Sequence, residues 1–276
     1  MTKPTAKMPC QPSGAQYHID CKKGDLAPYI LLPGDPGRVP KIAGQWDDKK
    51  EVAFHREYCS MTGHFKSAKI SCLSTGIGAP STAIAIEEAA RIGVHTFIRV
   101  GSTGALQPEI KPGDLVISTA GVKLEGTSKS YVWTEYPAFA SYEVVLALIE
   151  ACERLNLKYH LGVAASVDSF YTGEGRPGFK GYTQSYLKDI LSDLQKAKVT
   201  NVEMETSALF TIASLYNLRA GAICAVFDNL VTDEFAIKGE EEVGLAASEA
   251  VVILSEWDKL KKKKRKKYFY PSLLKK

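Results

Sequence analysis

Two glycine-containing stretches, each directly after an apolar run and each holding an arginine, could bind an anion. They are residues 33–38 (PGDPGR) and 99–104 (RVGSTG). Glycine lets the backbone approach a ligand closely, and a guanidinium offers paired donors to phosphate oxygens. Arg99 lies inside an apolar strand pattern, where an unpaired charge is costly, and Ser102 follows in a turn whose amides suit an anion. These patterns predict either anion sites or, alternatively, a plain turn and a buried ion pair.

A third stretch, residues 74–81 (STGIGAPS), resembles a dinucleotide-binding loop between a strand and a helix. The pattern G-x-G-x-x-G is incomplete because Ser81 occupies the third glycine position. In addition, no acidic residue ends a following strand about 20 positions on, where a cofactor ribose needs one. The stretch therefore indicates a tight turn before a helix, and it disfavours a nicotinamide-dependent oxidoreductase.

Two glutamates flank a methionine in residues 202–206 (VEMET). At the start of a helix, glutamates ordinarily complement the helix dipole. The alternative is that Glu205 binds the hydroxyl groups of a sugar while the thioether of Met204 packs beneath its ring. This segment alone leaves both interpretations open.

Alternating β-type and helical patterns must position these residues. Apolar runs bounded by glycine or proline predict strands, and apolar residues spaced three to four apart predict helices. Strands that alternate with helices favour a sheet covered on both faces. We therefore expect one α/β domain of three layers, with a mixed, largely parallel central sheet flanked by helices. The predicted strands are 29–33, 69–75, 96–100, 114–119 and 221–227, and the predicted helices are 80–92, 141–156, 204–216 and 241–260.

We expect the 276 residues to form a flexible leader (1–16), a single domain (17–258) and a basic tail (259–276), of which the tail is marked by its charge. The tail holds ten basic residues and no acidic one, so the rest of the chain, with 25 basic and 31 acidic residues, is mildly acidic. An acidic body argues against a nucleic-acid-binding core. A block of like charge predicts disorder, or alternatively docking to RNA, an acidic membrane surface or an acidic protein. Within the domain, residues 172–195 predict a long functional loop.

The sequence also predicts a cytoplasmic protein with reduced thiols. The first residues contain no apolar segment of a secretory signal, and no apolar run approaches the roughly 20 residues that cross a bilayer. The six cysteines include no C-x-x-C pair, and no histidine cluster has metal-ligand spacing. A disulfide framework is therefore not expected.

Five motifs in register carry a resemblance to a known family. GDPGR, HRE, STGIGAPS, RVGSTGALQP and VEMET, in this order, resemble the nucleoside phosphorylase family, which includes uridine phosphorylases and hexameric purine nucleoside phosphorylases. The resemblance spans residues 18–254, and residues 74–93 and 97–118 are especially similar to the uridine branch. It implies an enzyme of nucleoside salvage, a pentosyltransferase that cleaves a ribonucleoside with inorganic phosphate as co-substrate and no organic cofactor.

The resemblance implies a role for each matching position. The implied phosphate ligands are Gly34, Arg38, Arg56, Arg99 and Ser102. The implied ribose contacts are His18, Met204 and Glu205. The implied base contacts are Phe170, Glu174, Arg176 and Asp228, and the implied catalytic residues are Arg99, Glu205 and Asp228. The implied ligands of a monovalent cation are Glu57, Ile77 and Ser81. Arg56 and His18 would come from a neighbouring subunit, so at least a homodimer and commonly a hexamer are implied.

Two positions depart from the uridine branch and leave the base open. Glu174 stands where that branch has glutamine, and Asp228 stands where purine-cleaving relatives have an acid that protonates the base. Asp228 could equally be a turn residue. Cleavage of a purine nucleoside or of methylthioadenosine is therefore an alternative to cleavage of uridine. A hydrolytic nucleosidase is less favoured, because water does not require three arginines around an anion, and a non-catalytic nucleoside-binding module is disfavoured by Glu205.

Overall fold

The computed structural model describes residues 4–275 of the chain. One mixed sheet of eleven strands runs through the molecule, with helices packed against it. The strands are β1 (Tyr29–Leu32), β2 (Asp48–His55), β3 (Tyr58–Phe65), β4 (Ala68–Leu73), β5 (Thr96–Ala105), β6 (Leu115–Leu124), β7 (Ala138–Phe139), β8 (Tyr159–Val167), β9 (Val199–Glu203), β10 (Arg219–Asn229) and β11 (Glu234–Phe235). The helices are α1 (Arg38–Ala43), α2 (Ala79–Arg91), α3 (Tyr142–Arg154), α4 (Ile190–Lys196), α5 (Thr206–Leu215) and α6 (Glu240–Lys263).

Alternate residues of the central strands pack into two different apolar clusters, as the two-residue period of a strand requires. On β1, Leu31 packs in the cluster that also contains side chains of α1, α3 and α6. Its neighbours Ile30 and Leu32 pack in the cluster that contains side chains of α2 and α5. Each face of the sheet is therefore covered by helices, which confirms the three-layer α/β fold.

The strand pairing brings several strand ends to one edge of the sheet. β1 lies parallel to β4 and β5, and β5 lies parallel to β10. β5 also pairs with β9, so that β5, β10, β6, β8 and β9 form a closed ring of strands. Since β1, β5 and β10 point the same way, the residues at their carboxyl ends gather together. Gly34, Ser102 and Asp228 are among these residues.

The structure contains every strand and helix that the periodicity predicts, and it adds several that the pattern does not reveal. The added elements are α1, α4, β2, β3, β7, β8, β9 and β11. β2 is an edge strand whose residues are mostly exposed, so it lacks the alternation that marks a half-buried strand. β9 is fully buried although it contains Thr200 and Asn201. Asn201 is satisfied because its amide donates to the hydroxyl of Thr103 at 2.9 Å.

The basic tail is folded against the domain, whereas its charge predicts disorder. α6 continues to Lys263, five residues past the expected domain boundary. The chain then folds back, and the ring of Phe269 stacks on Trp257 with 3.8 Å between centroids and 8° between planes. Leu273 is also buried in this cluster. The apolar residues that follow the basic block anchor the described part of the tail, while the basic side chains between them stay mostly exposed.

Other predictions concern the termini, the long loop and the cysteines. Residues 4–16 form two isolated β-bridges, and residues 1–3 of the expected leader, like residue 276 of the tail, lie outside the described residues. The predicted loop at 172–195 contains three single-turn 3₁₀ helices and the beginning of α4. All six cysteines are free, and all but Cys10 are buried. Among residues 4–275, no helix is both long and apolar enough to cross a membrane.

Candidate active site

A cavity of about 350 Å³ opens where the carboxyl ends of β1, β5 and β10 meet. Its walls contain most of the residues that the motifs single out, although these residues come from distant parts of the sequence. The predicted site residues that line it are Gly34, Arg38, Ile77, Arg99, Ser102, Phe170, Glu174, Arg176, Met204, Glu205 and Asp228. The fold therefore brings residues of four of the five motifs to one place, and HRE is the motif that stays outside the cavity.

Arg99 forms part of the cavity wall as a buried cation between two carboxylates. The residue is 6% exposed. Its Nε lies 2.7 Å from Oε2 of Glu203, in an ion pair whose angle is not that of a hydrogen bond, and its Nη2 contacts Glu205. Burial lowers the pKa of a guanidinium, but the carboxylates of Glu205 and Glu203 outweigh this effect and raise the pKa of Arg99. The structure therefore confirms the buried ion pair that the sequence offers as one alternative for Arg99, and it also places Arg99 at the cavity.

Glu203 organises the start of α5. Its carboxylate accepts hydrogen bonds from the backbone N–H of Glu205 at 3.0 Å and from that of Thr206 at 3.0 and 3.1 Å. It also accepts a hydrogen bond from the hydroxyl of Ser166 at 2.5 Å. These contacts satisfy two amide groups that the first turn of a helix leaves without partners. The dipole interpretation of VEMET is therefore correct for Glu203, whose further contact with Arg99 the sequence analysis missed.

Glu205 projects from the same turn and is fixed by the STGIGAPS loop. The backbone N–H of Gly78 donates to Oε1 of Glu205 at 2.6 Å. Gly78 adopts φ +93°, which a residue with a side chain rarely adopts. Burial raises the pKa of Glu205, with Arg99 opposing and Glu203 adding to the effect. The loop that resembles a dinucleotide fingerprint thus positions a carboxylate at the cavity.

Arg38 and Gly34 form another part of the wall. Arg38 Nε donates to Oε1 of Glu240 at 3.0 Å, and its guanidinium lies 5.3 Å from the centre of the Phe227 ring. Gly34 packs against the STGIGAPS loop, because its carbonyl accepts a hydrogen bond from the N–H of Gly76 at 2.9 Å. A side chain at Gly34 would place its Cβ 3.2 Å from the carbonyl oxygen of Gly76. This close packing accounts for a glycine at the end of β1.

A further part of the wall contains a connected set of charged groups around Arg176. Its Nη1 contacts the carboxylate of Glu174 and donates to the carbonyl of Phe170 at 3.0 Å, and its Nη2 donates to Oδ2 of Asp228 at 2.5 Å. The guanidinium also lies 4.1 Å from the centre of the Phe170 ring. Burial raises the pKa of Glu174 to about 7, with Arg176 opposing and Asp228 and Glu203 adding to the rise. Two carboxyl groups therefore share one guanidinium here.

Four of the predicted site residues do not line this cavity. His18 lies 2.7 Å from Glu88 through its Nδ1, and Arg56 is exposed with its guanidinium 5.7 Å from the centre of the Tyr17 ring. Glu57 and Ser81 lie together beside Gly76, since a Cβ built there would be within 3.3 Å of both side chains. Ser81 also donates to the carbonyl of Ile77 at 3.2 Å. The resemblance assigns Arg56 and His18 to a site shared with a neighbouring subunit, and in a single chain these residues lie outside the cavity.

Three other residues of the cavity wall are Thr103, from the turn whose hydroxyls and amides suit an anion, and two phenylalanines to which the sequence assigns no role. Thr103 is held by its hydroxyl, which donates to the carbonyl of Val202 at 2.6 Å. Phe227 and Phe235 add aromatic surface, and Phe235 pairs with Asp228 across β10 and β11. Aromatic side chains near a charged network are common in ligand pockets and could be located only once the strands were paired. Among residues 4–275, no group of three or more His, Cys, Asp or Glu is arranged to hold a metal ion.

Comparison with known proteins agrees with this geometry. The sequence model of the Phosphorylase superfamily matches residues 28–255. A uridine phosphorylase of Thermococcus kodakarensis is 58% identical over 269 residues, which are 98% of this chain and 97% of the relative. A uridine phosphorylase of Escherichia coli is 39% identical over 87% of this chain and 95% of its own, and a guanosine phosphorylase of Halorubrum lacusprofundi is 40% identical over 78% of this chain and 84% of its own. The chain belongs to the phosphorylase superfamily.

Proposed function

We propose that the protein cleaves uridine with inorganic phosphate and releases uracil and ribose 1-phosphate. The observation that carries this proposal is one cavity that combines Arg38 and Arg99 with Glu205 and with the aromatic and charged groups around Arg176. Guanidinium groups suit a phosphate, and a carboxylate suits the hydroxyls of a ribose. The 58% identity to a uridine phosphorylase over nearly the whole chain supports the same activity.

At one end of the cavity, phosphate would be held by Gly34, Arg38, Arg99 and Ser102. Arg56 of a neighbouring copy would add a third guanidinium, since Arg56 is exposed and does not line the cavity of its own chain. Cleavage of the glycosidic bond develops positive charge on the ribose ring, which a phosphate below the ring both stabilises and attacks. A hydrolytic enzyme would not need this concentration of guanidinium groups, which favours phosphorolysis.

In the middle of the cavity, the ribose would bind to Glu205 and Met204. The carboxylate of Glu205 is held by Gly78 and Arg99, so it is oriented before substrate arrives. Such preorganisation lowers the entropy cost of binding. His18 of a neighbouring copy would contact the 5′-hydroxyl. The active unit would then be at least a dimer, and a hexamer is the assembly we propose.

At the far end, the base would lie against Phe170 and near Arg176, with Glu174 and Asp228 on either side of that guanidinium. Asp228 is already paired with Arg176 at 2.5 Å. Because of this pairing, we favour a role for Asp228 in orienting Arg176. The alternative role, as a free acid that protonates a purine, is less favoured. A purine nucleoside is the second candidate substrate, because Asp228 does line the cavity and a relative at 40% identity is a guanosine phosphorylase.

Three further expectations accompany this function. A monovalent cation would bind between copies at Glu57, Ile77 and Ser81. The exposed basic residues of the tail would contact an acidic surface. The protein would act in nucleoside salvage in the cytoplasm.

A substrate panel tests the proposal. Purified protein is incubated with uridine, inosine, guanosine or methylthioadenosine, with and without phosphate, and the released base is quantified. We expect rapid release of uracil that requires phosphate, and much slower release of any purine. Faster release of a purine base would replace uridine by the second candidate, and equal release without phosphate would refute phosphorolysis.

A further inference from the structure

At the proposed base end of the cavity, carboxyl groups outnumber positively charged groups. Glu174 and Asp228 both contact Arg176, and no other cation contacts either carboxyl group within residues 4–275. With both carboxyl groups ionised, this group of three side chains, of which Glu174 is buried and the other two are partly buried, would carry a net negative charge. A negative charge in a low-dielectric site is costly, and the site would remove the cost by binding one proton.

The chemistry of the reaction makes the same demand. When the glycosidic bond breaks, its electron pair stays on the base nitrogen and spreads onto the oxygens of the pyrimidine ring. A net negative charge beside these oxygens would oppose their developing charge, whereas a hydrogen-bond donor would stabilise it. A site with one proton on its carboxyl groups is neutral and offers such a donor in addition to Arg176.

Glu174 is the better placed of the two carboxyl groups to carry this proton. Its side chain is 4% exposed, whereas that of Asp228 is 18% exposed. In the described part of the chain, the hydrogen bond that Glu174 makes with Arg176 uses Oε2, so Oε1 can carry a proton without disturbing it. The charged groups around Glu174 are Arg176 in its own loop, Asp228 on β10 and Glu203 on β9. Burial together with the two acidic neighbours raises the pKa of Glu174 to about 7.

We propose that Glu174 works in its protonated form and donates a hydrogen bond from its carboxyl group to an oxygen of the departing pyrimidine. This inference rests on the proposed function. The phosphate oxygen forms the bond to C1′ of the ribose, the bond from C1′ to N1 breaks, and the electron pair remains on uracil. The proton of Glu174 stays on the carboxyl group and is shared with the uracil oxygen through the hydrogen bond. Arg176 meanwhile retains a one-to-one ion pair with Asp228.

The test compares pH profiles of the wild-type protein with those of Glu174→Gln. A glutamine amide donates and accepts hydrogen bonds but does not ionise in this range. Inorganic phosphate itself titrates near neutral pH, so the informative quantity is the ratio of wild-type to variant kcat/KM for uridine at each pH between 6 and 9 with saturating phosphate. Because the active form is protonated, the ratio should be constant well below pH 7 and fall about tenfold for each pH unit well above it.

Two variants serve as controls. Asp228→Asn removes the other carboxyl group that contacts Arg176, and the ratio of wild-type to Asp228→Asn kcat/KM should not fall with pH above 7 as it does for Glu174→Gln. Glu109→Gln removes an exposed carboxylate outside the cavity and should reproduce the wild-type profile. A constant ratio for Glu174→Gln across the whole range, or a falling ratio for Asp228→Asn in its place, would overturn the inference.

A measurement on the unaltered protein guards against a variant that does not fold. Binding of uracil at pH 8, measured by calorimetry in buffers of different ionisation enthalpy, should be accompanied by uptake of a proton. Binding without proton uptake would contradict the proposal. Release of uracil from uridine by the same preparation tests the proposed function separately, so a failure of the inference leaves that result unaffected.

Discussion

Replacement of Arg99 by alanine is the most informative single change, because it removes one cation from two buried carboxylates. Glu203 and Glu205 are 3% and 4% exposed, and both contact the guanidinium. The variant would retain the backbone of β5 but leave the two acidic side chains facing each other without a counter-charge. Two separate effects follow, one on turnover and one on the free energy of unfolding.

The effect on turnover follows from the position of Arg99 in the proposed phosphate site. Loss of a preorganised donor that stabilises charge in a transition state typically lowers kcat by about 10²- to 10³-fold. We expect a decrease of this size in phosphorolysis by Arg99→Ala, together with a higher KM for phosphate. Arg99→Lys should recover only part of the activity, because an ammonium lacks the fixed paired donors of a guanidinium.

The effect on stability depends on pH in a defined direction. Removal of one member of a buried ion pair costs about 3–5 kcal/mol, because the remaining charge has no partner. In the variant, Arg99 no longer opposes the effect of burial on Glu205, so the folded-state pKa of Glu205 would rise further above its unfolded value of about 4.3, and the folded state would bind a proton more tightly. The loss of unfolding free energy relative to wild type should therefore be largest at pH 8 and should shrink as the pH falls toward 5.

Urea unfolding of the wild-type protein and Arg99→Ala at pH 5, 6.5 and 8 measures this difference. Turnover is measured at urea-free conditions under which both proteins are folded. A loss of stability that is the same at all three pH values would show that the carboxylates do not depend on Arg99 for their charge. Near-normal turnover with an unchanged KM for phosphate would remove Arg99 from the phosphate site.

Three other substitutions probe separate parts of the molecule. Glu203→Gln keeps the size of the side chain but weakens its contact with the charged Arg99. We therefore expect kcat/KM to fall about 10- to 100-fold in a steady-state assay. An unchanged kcat/KM would contradict a role for Glu203 in positioning Arg99. Arg56→Ala should leave thermal unfolding unchanged but lower turnover. If sites are shared between subunits, oligomers that contain both Arg56→Ala and Arg99→Ala subunits should regain activity. No regain of activity would argue that each subunit has a self-contained site. Phe269→Ala should lower the unfolding free energy by about 3 kcal/mol through loss of the stack on Trp257, and it should leave kcat unchanged. An unaltered midpoint of urea unfolding would show that the tail contributes no stability.

The fold was predictable from the sequence wherever local signals agreed with one another. The strand before the PGDPGR motif is a short apolar run, and its predicted bounds, 29–33, differ from those of β1 by one residue. The strand that contains Arg99 could be located by its apolar start, but β5 continues to Ala105, because the glycines that suggest its end lie within the strand. Parallel strands then place their carboxyl ends at one edge. For this reason Gly34, Ser102 and Asp228 could be expected near one another before the pairing was known.

Features that depend on contacts between distant residues could not be predicted in this way. The acidic side chain of Glu203 reads as an ordinary helix-start residue, and only the pairing of β9 with β5 places it beside Arg99. The tail has the composition of a disordered segment. Its charge does not reveal that Trp257 and Phe269 will stack on each other across the turn. Glu174 is polar and lies in a loop, yet it is buried because Arg176 and Asp228 accompany it into the cavity wall.

The charge of the cavity links the proposed assembly to the proposed protonation of Glu174. The lining residues of one chain include three arginines and five carboxylic acids, so a single copy offers a phosphate dianion a wall of net negative charge. Protonation of Glu174 removes one negative charge, and Arg56 from a neighbouring copy would supply a positive one. These two changes together bring the wall to neutrality before phosphate binds. Under these two proposals, an isolated chain with Glu174 ionised would repel phosphate, so we expect phosphate to bind most tightly where the shared site and the protonated carboxyl group are both present.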